Sequence, residues 1–94
     1  MLPFASGLRR RSGGTVLVVD DLEANLTALA AMLRLEGYDV LLARNGSEAI
    51  DIVRAERPDV ILSDVRMPVL DGFELCRALK AAPDTCLLPV VLLT

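Results

Sequence analysis

With 94 residues, the chain is long enough for one small domain and too short for two. Hydrophobic residues make up 53% and the net charge is −3, which argues for a packed core and against direct nucleic-acid binding, since that requires phosphate neutralisation. Histidine is absent, which excludes Ser-His-Asp and Cys-His catalysis within these residues and any histidine-ligated metal.

Residues 1–14 contain Pro3, Gly7, Gly13, Gly14 and the basic cluster Arg9-Arg10-Arg11, and read as a flexible leader. The leader lacks the charged n-region and apolar h-region of a signal peptide. No apolar run reaches the length of a membrane span, so a cytoplasmic location without membrane contact is expected. Cys76 and Cys86 have no metal-ligand or redox spacing and are expected to be reduced thiols.

Thr15 to Val19 is largely β-branched and apolar, predicts a buried strand, and is followed by Asp20-Asp21. A helix is expected from Glu23 to Glu36, with Leu22, Leu26, Leu29 and Leu33 on one face and Gly37 as its stop. Asp39 to Ala43 predicts a second strand, and Asn45-Gly46 a turn. Ser47 to Ala55 predicts a second helix capped near Ser47, with Ala49, Ile50 and Val53 facing inward. Pro58 ends that helix. Val60 to Ser63 predicts a third buried strand with Asp64 at its carboxyl end. A third helix is expected from Gly72 to Ala81, capped by Asp71 and presenting Phe73, Cys76 and Leu79, with Leu75 and Ala78 on a neighbouring stripe. Pro89 introduces a fourth strand, Val90 to Leu93, followed by Thr94. Met32 and Met67 read as core filler.

Strands alternating with helices predict a parallel sheet with right-handed crossovers, and a doubly wound sheet of order 2-1-3-4 is one such arrangement. In that order the first and third strands are neighbours, about 4.8 Å apart. Their carboxyl ends would bring Asp20, Asp21 and Asp64 into one acidic pocket at the edge where open α/β sheets hold their ligands. Converging carboxylates call for a hard divalent cation. Few oxygen ligands, with room left for waters, suit Mg²⁺ better than Zn²⁺ or a caged Ca²⁺. A metal beside a free carboxylate oxygen is an arrangement for phosphoryl transfer.

Three stretches carry a resemblance: Val18-Val19-Asp20-Asp21, the run from Pro58 to Gly72 containing Asp64-Val65-Arg66-Met67-Pro68-Val69-Leu70-Asp71-Gly72, and Pro89-Val90-Val91-Leu92-Leu93-Thr94. From about Thr15 to its end the chain resembles the receiver domain of bacterial two-component response regulators. The resemblance implies a flavodoxin-like (CheY-like) fold over 15–94. It implies Asp64 as the phosphoacceptor, fed by a sensor histidine kinase or histidine phosphotransfer protein. Asp21 would bind Mg²⁺ directly and Asp20 mainly through water, with the Arg66 backbone carbonyl as a further ligand and Thr94 as the switch hydroxyl. A receiver also has a fourth helix, a fifth strand ending in lysine, and a fifth helix. These 94 residues do not include them, so the fold is expected to be incomplete at its C-terminal end. The only lysine is Lys80, in the third helix.

Two other readings fit part of the pattern. One is an incomplete receiver that acts only as an interaction or dimerisation module, joining an output domain or a second copy. The other is a Mg²⁺-dependent phosphohydrolase of the haloacid dehalogenase type. That class places a second acid two residues after the nucleophile, where this chain has Arg66. The receiver is therefore expected to be a phosphoaccepting signalling module and not an enzyme.

Overall fold

The computed structural model describes residues 14–67 and 70–93. Most of the leader read at 1–14, together with Pro68, Val69 and Thr94, lies outside the described residues. The elements are β1 (Thr15–Val19), α1 (Glu23–Leu35), β2 (Asp39–Ala43), α2 (Gly46–Glu56), β3 (Val60–Asp64), α3 (Gly72–Ala81) and β4 (Val90–Leu93). All strand pairs are parallel and the order is β2-β1-β3-β4. This is the expected flavodoxin-like, doubly wound order 2-1-3-4.

Side chains along the strands alternate between two cores. Leu17, Val19, Ala43 and Ile61 pack with Ala49 and Val53 of α2 and Leu75 and Leu79 of α3. On the other face Val16 and Val18 pack with Leu26 of α1, flanked by Leu29, Leu33, Val40, Leu42, Val60 and Leu62. One helix therefore covers one face and two cover the other. Among the described residues β4 is an edge strand. Its Val90 joins the two-helix core, whereas Val91 and Leu93, of opposite parity, are exposed.

The helix ends show where local chemistry sets the boundaries. α1 stops at Leu35, one residue before the expected end. Glu36 caps it, and Gly37 takes the left-handed conformation (φ 96°) that glycine adopts freely. α2 starts at Gly46, with Asn45 as its cap: the Asn45 Oδ1 accepts from the Glu48 amide at 2.8 Å. The cap expected near Ser47 is thus corrected by two residues, because Asn45 accepts from a helix amide as readily as serine does. Arg57 closes α2 in the left-handed region (φ 51°), and Pro58 cannot continue a helix. Asp71 begins α3 with a reciprocal capping box, accepting from the Glu74 amide while Glu74 accepts from its own amide.

Three expectations about faces are corrected. Leu22 is the N-cap residue of α1, outside its periodicity, and is 57% exposed; buried Ala30 lies on the inner face instead. Met32, expected in the core, is exposed because it lies off the stripe of Leu26, Leu29 and Leu33. In α3 the buried residues are Gly72, Leu75 and Leu79, while Phe73 is exposed. The face is chosen by Gly72. A Cβ there would lie 2.5 Å from the Asp64 carbonyl oxygen, so the bare Cα is what approaches the strand. Position 73 lies 100° around the helix from that contact.

The segment after α3 is held by side chains. Lys80 Nζ donates to the carbonyls of Cys86 (3.1 Å) and Leu88 (2.7 Å), and the buried Thr85 hydroxyl donates to the Leu79 carbonyl at 2.6 Å. Lys80 is thereby committed to this loop. Among the described residues every buried polar side-chain atom has a partner.

Candidate functional site

The β1–β3 ladder decides what meets at the carboxyl edge. Val19 lies opposite Ser63, so the residues that follow each strand's apolar run emerge side by side. Asp20 and Asp21 come from β1, and Asp64 is the last residue of β3. Carboxylate oxygens of the three lie within 4.8 Å of one another.

The three are held differently. Asp20 is only 6% exposed, and both of its oxygens are engaged. Its Oδ1 accepts from the Leu22 amide at 2.9 Å and its Oδ2 from Asn25 Nδ2 at 3.0 Å. Asp21 is exposed and Asp64 half-buried. Asp64 Oδ1 accepts only a long 3.3 Å contact from the Arg66 amide. Its backbone is more firmly fixed: the carbonyl accepts from the Ser63 hydroxyl at 3.0 Å, and β4 pairs Leu93 with Asp64. Ser63 is thus satisfied locally, as the strand position implies.

Three clefts open on this edge. One of about 350 Å³ is lined by Asp20, Asn25, Ala28, Leu29, Asp64 and Leu93. One of about 510 Å³ is lined by Asp64, Val65, Arg66 and Phe73. One of about 500 Å³ runs from Asp21 past Arg66 and Met67 to Asp71 and Phe73. Asp64 is the carboxylate shared by the first two. Arg66 is exposed on the following loop. A fourth cleft, of about 250 Å³, lies at the opposite end of the sheet between Arg54, Arg57 and Asp84, away from the carboxylates.

No side-chain cation among the described residues pairs with the three aspartates. The one salt bridge there joins Arg44 Nη2 to Glu23 at 2.8 Å, with both side chains largely exposed. The hydrogen bond that Arg44 donates to Glu23, and then the charge of Glu23, raise the Arg44 pKa above its usual value, so this guanidinium stays charged and engaged with Glu23.

The sequence reading missed Asn25, which holds the Asp20 carboxylate from the first turn of α1. The available signal was an amide side chain five residues after an acidic strand end. It also missed the close approach of Gly72 to the Asp64 carbonyl. Thr94 lies outside the described residues, although its neighbour Leu93 is paired with Asp64.

A family model for the response regulator receiver domain matches residues 16–94. The chain belongs to the response regulator receiver family. Such receivers are signalling domains of two-component systems rather than classical enzymes. This receiver is 49% identical over 79 residues to the response regulator PleD of Caulobacter vibrioides, covering 84% of this chain and 17% of PleD. It therefore spans about a sixth of the length of that relative. Among solved structures, it superposes on the N-terminal domain of a response regulator receiver protein from Methanoculleus marisnigri with a TM-score of 0.84. The identity there is 36%, over 86% of this chain and 66% of the other. The receiver domain of a sensor histidine kinase from Pseudomonas aeruginosa, with a magnesium ion in its active-site cleft, matches with a TM-score of 0.82. That match is 38% identical and covers 88% of this chain and 68% of the other. No helix among the described residues of this receiver is long and apolar enough to cross a membrane.

Proposed function

We propose that this receiver accepts a phosphoryl group on Asp64 from a phosphohistidine donor in a Mg²⁺-dependent reaction. The observation that carries the reading is the meeting of three carboxylates within 4.8 Å, with Asp64 facing open clefts. The donor set is all oxygen, which fits a hard divalent cation. Asp21 is exposed and free to ligate directly. Asp20, with both oxygens already engaged, would act mainly through water. The Arg66 backbone carbonyl would complete the protein's share. When bound, Mg²⁺ would neutralise charge on the phosphoryl oxygens.

The chain's own residues would divide the work between them. Asp64 stands as the nucleophile: its oxygen bonds to phosphorus while the bond from phosphorus to the donor's imidazole nitrogen breaks, and the electron pair returns to that nitrogen. The stem of β3 holds the carboxylate still, and Thr94, next to Leu93, would supply the hydroxyl that follows the phosphoryl group. The donor would be a sensor histidine kinase or a histidine phosphotransfer protein. Residues 15–94 would be the receiver, working in the cytoplasm and coupled to an output domain.

Intact mass after incubation with acetyl phosphate tests the proposal. One added phosphoryl group with Mg²⁺, and none with excess EDTA, is expected; no addition in either case would overturn it. Magnesium binding should be weak, because few protein ligands are supplied. An Asp21→Ala chain is expected to lose at least about tenfold in Mg²⁺ affinity by titration, since one direct ligand is gone. Unchanged affinity would place the ion elsewhere.

Self-association is supported by a separate observation. Val91 and Leu93 are exposed on β4, whose outer edge is unpaired among the described residues, and Met32 and Leu35 are exposed on α1. Uncharged edge strands and apolar patches promote pairing between chains. Sedimentation of the 94-residue chain is expected to show a mass that rises with concentration, and a constant monomer would refute it.

A further inference from the structure

We infer that Gly46 and Leu70 act together as positioning residues, a latch that holds the loop after Asp64 in the geometry the site requires. The inference rests on the metal-site reading above, and adds to it a pair of residues outside the carboxylate cluster.

The loop joins β3 to α3 and carries Arg66, whose amide meets Asp64. Its two ends are tied by backbone. The Val65 amide donates to the Leu93 carbonyl at 3.2 Å, and the Gly72 amide donates to the Val65 carbonyl at 3.0 Å. Between these ties, the described anchors are side chains. Met67 is buried in the two-helix core, and half-buried Leu70 packs against the same core.

Leu70 sits directly over Gly46. A Cβ at position 46 would lie 2.7 Å from Leu70 Cδ2 and 2.9 Å from both its Cβ and its Cγ. Because the near end of the leucine is involved as well as its tip, no rotamer change clears the contact. The backbone of Leu70 would have to move, and the loop with it. Nothing else about position 46 calls for glycine. Its φ is not positive, since the positive-φ glycines among the described residues are Gly14 and Gly37. It is the first residue of α2, where alanine would be a better helix former. The missing side chain therefore serves the close seat of Leu70. The floor under that seat is itself rigid: Asn45 caps α2, and the Arg44 amide donates to Glu48 at 2.8 Å.

The latch acts on the site through the loop. Partners behind a ligand set its orientation, and losing one typically costs about 10–100-fold in metal affinity. The test compares the 94-residue chain with Gly46→Ala, Leu70→Ala and the double variant, reading amide hydrogen exchange without metal and Mg²⁺ titration. In Gly46→Ala, exchange at the Val65 and Gly72 amides is expected to quicken about tenfold while β1 amides keep their protection. Mg²⁺ affinity is expected to fall about tenfold. Leu70→Ala should act in the same direction by emptying the seat. Adding it to Gly46→Ala removes two of the three close contacts and should recover part of the lost affinity, which a general loss of stability would not do. Unchanged loop exchange in both single variants overturns the latch. Faster exchange with unchanged Mg²⁺ affinity overturns its positioning role. A parent chain that binds no Mg²⁺ overturns the metal-site reading and the positioning role with it, whatever the exchange shows.

Discussion

An Asp64→Asn chain is expected to take up no phosphoryl group from acetyl phosphate and Mg²⁺, with the intact mass unchanged at times when the parent chain is fully modified. The amide nitrogen is not a nucleophile, and its oxygen lacks the negative charge that attacks phosphorus. The substitution should leave the fold intact. Asp64 Oδ1 accepts one long contact, from the Arg66 amide at 3.3 Å, and an asparagine oxygen can accept the same bond. A similar melt therefore accompanies the lost reaction. Asp71→Asn is the matching control. Asp71 borders one of the clefts but is occupied in capping α3, and this variant should still be modified. A modified Asp64→Asn chain would show that another carboxylate accepts the group.

The second large effect is on stability. Gly72→Ala is expected to destabilise the fold by about 1–3 kcal/mol, as overpacking of a close contact does. Helix propensity favours the change, since alanine exceeds glycine by up to about 1 kcal/mol in a helix. Sterics oppose it and should win. The new Cβ would lie 2.5 Å from the Asp64 carbonyl oxygen, 3.0 Å from Val65 Cα and 3.0 Å from Leu92 Cδ2. Two of these three atoms are backbone and cannot rotate away. For a domain of this size each kcal/mol lowers the melting temperature by roughly 4–8 °C. A melt at or above that of the parent chain would mean that α3 stands further from β3 than the 2.5 Å approach to the Asp64 carbonyl requires. Displacing α3 would also disturb Asp64 itself, so Mg²⁺ affinity should fall with the melt.

Most element boundaries were legible in the sequence, because punctuation surrounds each apolar run. Thr15–Val19, Asp39–Ala43, Gly72–Ala81 and Val90–Leu93 have the limits expected. The parallel sheet followed from the alternation; its order, and with it the neighbourhood of Asp20, Asp21 and Asp64, followed from the doubly wound arrangement that the receiver resemblance implies. Periodicity, however, shows that a helix has an apolar stripe without showing which of two adjacent stripes meets the sheet. In α3 the choice between Phe73 and Leu75 was made by Gly72 against a strand carbonyl, a contact between residues of different elements. Asn25 and Gly46 were missed for the same reason. An asparagine in a helix and a glycine in a turn look ordinary until Asp20 and Leu70 are placed beside them. Leu22 was misplaced because a cap residue continues a helix's spacing without belonging to it.

The parallel ladder between β1 and β3 also governs how the site comes into being. Val16 pairs with Val60, so a second strand and two helices must be gathered in before the two strands touch. No hairpin of neighbouring strands can form this edge early, since every strand pair here is parallel. Loop closure must be met before long-range pairing returns any stabilisation, and such topologies fold more slowly than helical bundles of equal size. Asp64 therefore joins Asp20 and Asp21 only when β1 and β3 pair. A nascent or partly unfolded chain keeps Asp20 beside Asp21 but leaves Asp64 43 residues further along, so the three-carboxylate cluster is not yet assembled. Competence to bind would then switch on with folding itself, leaving no half-built chain to compete for the ion.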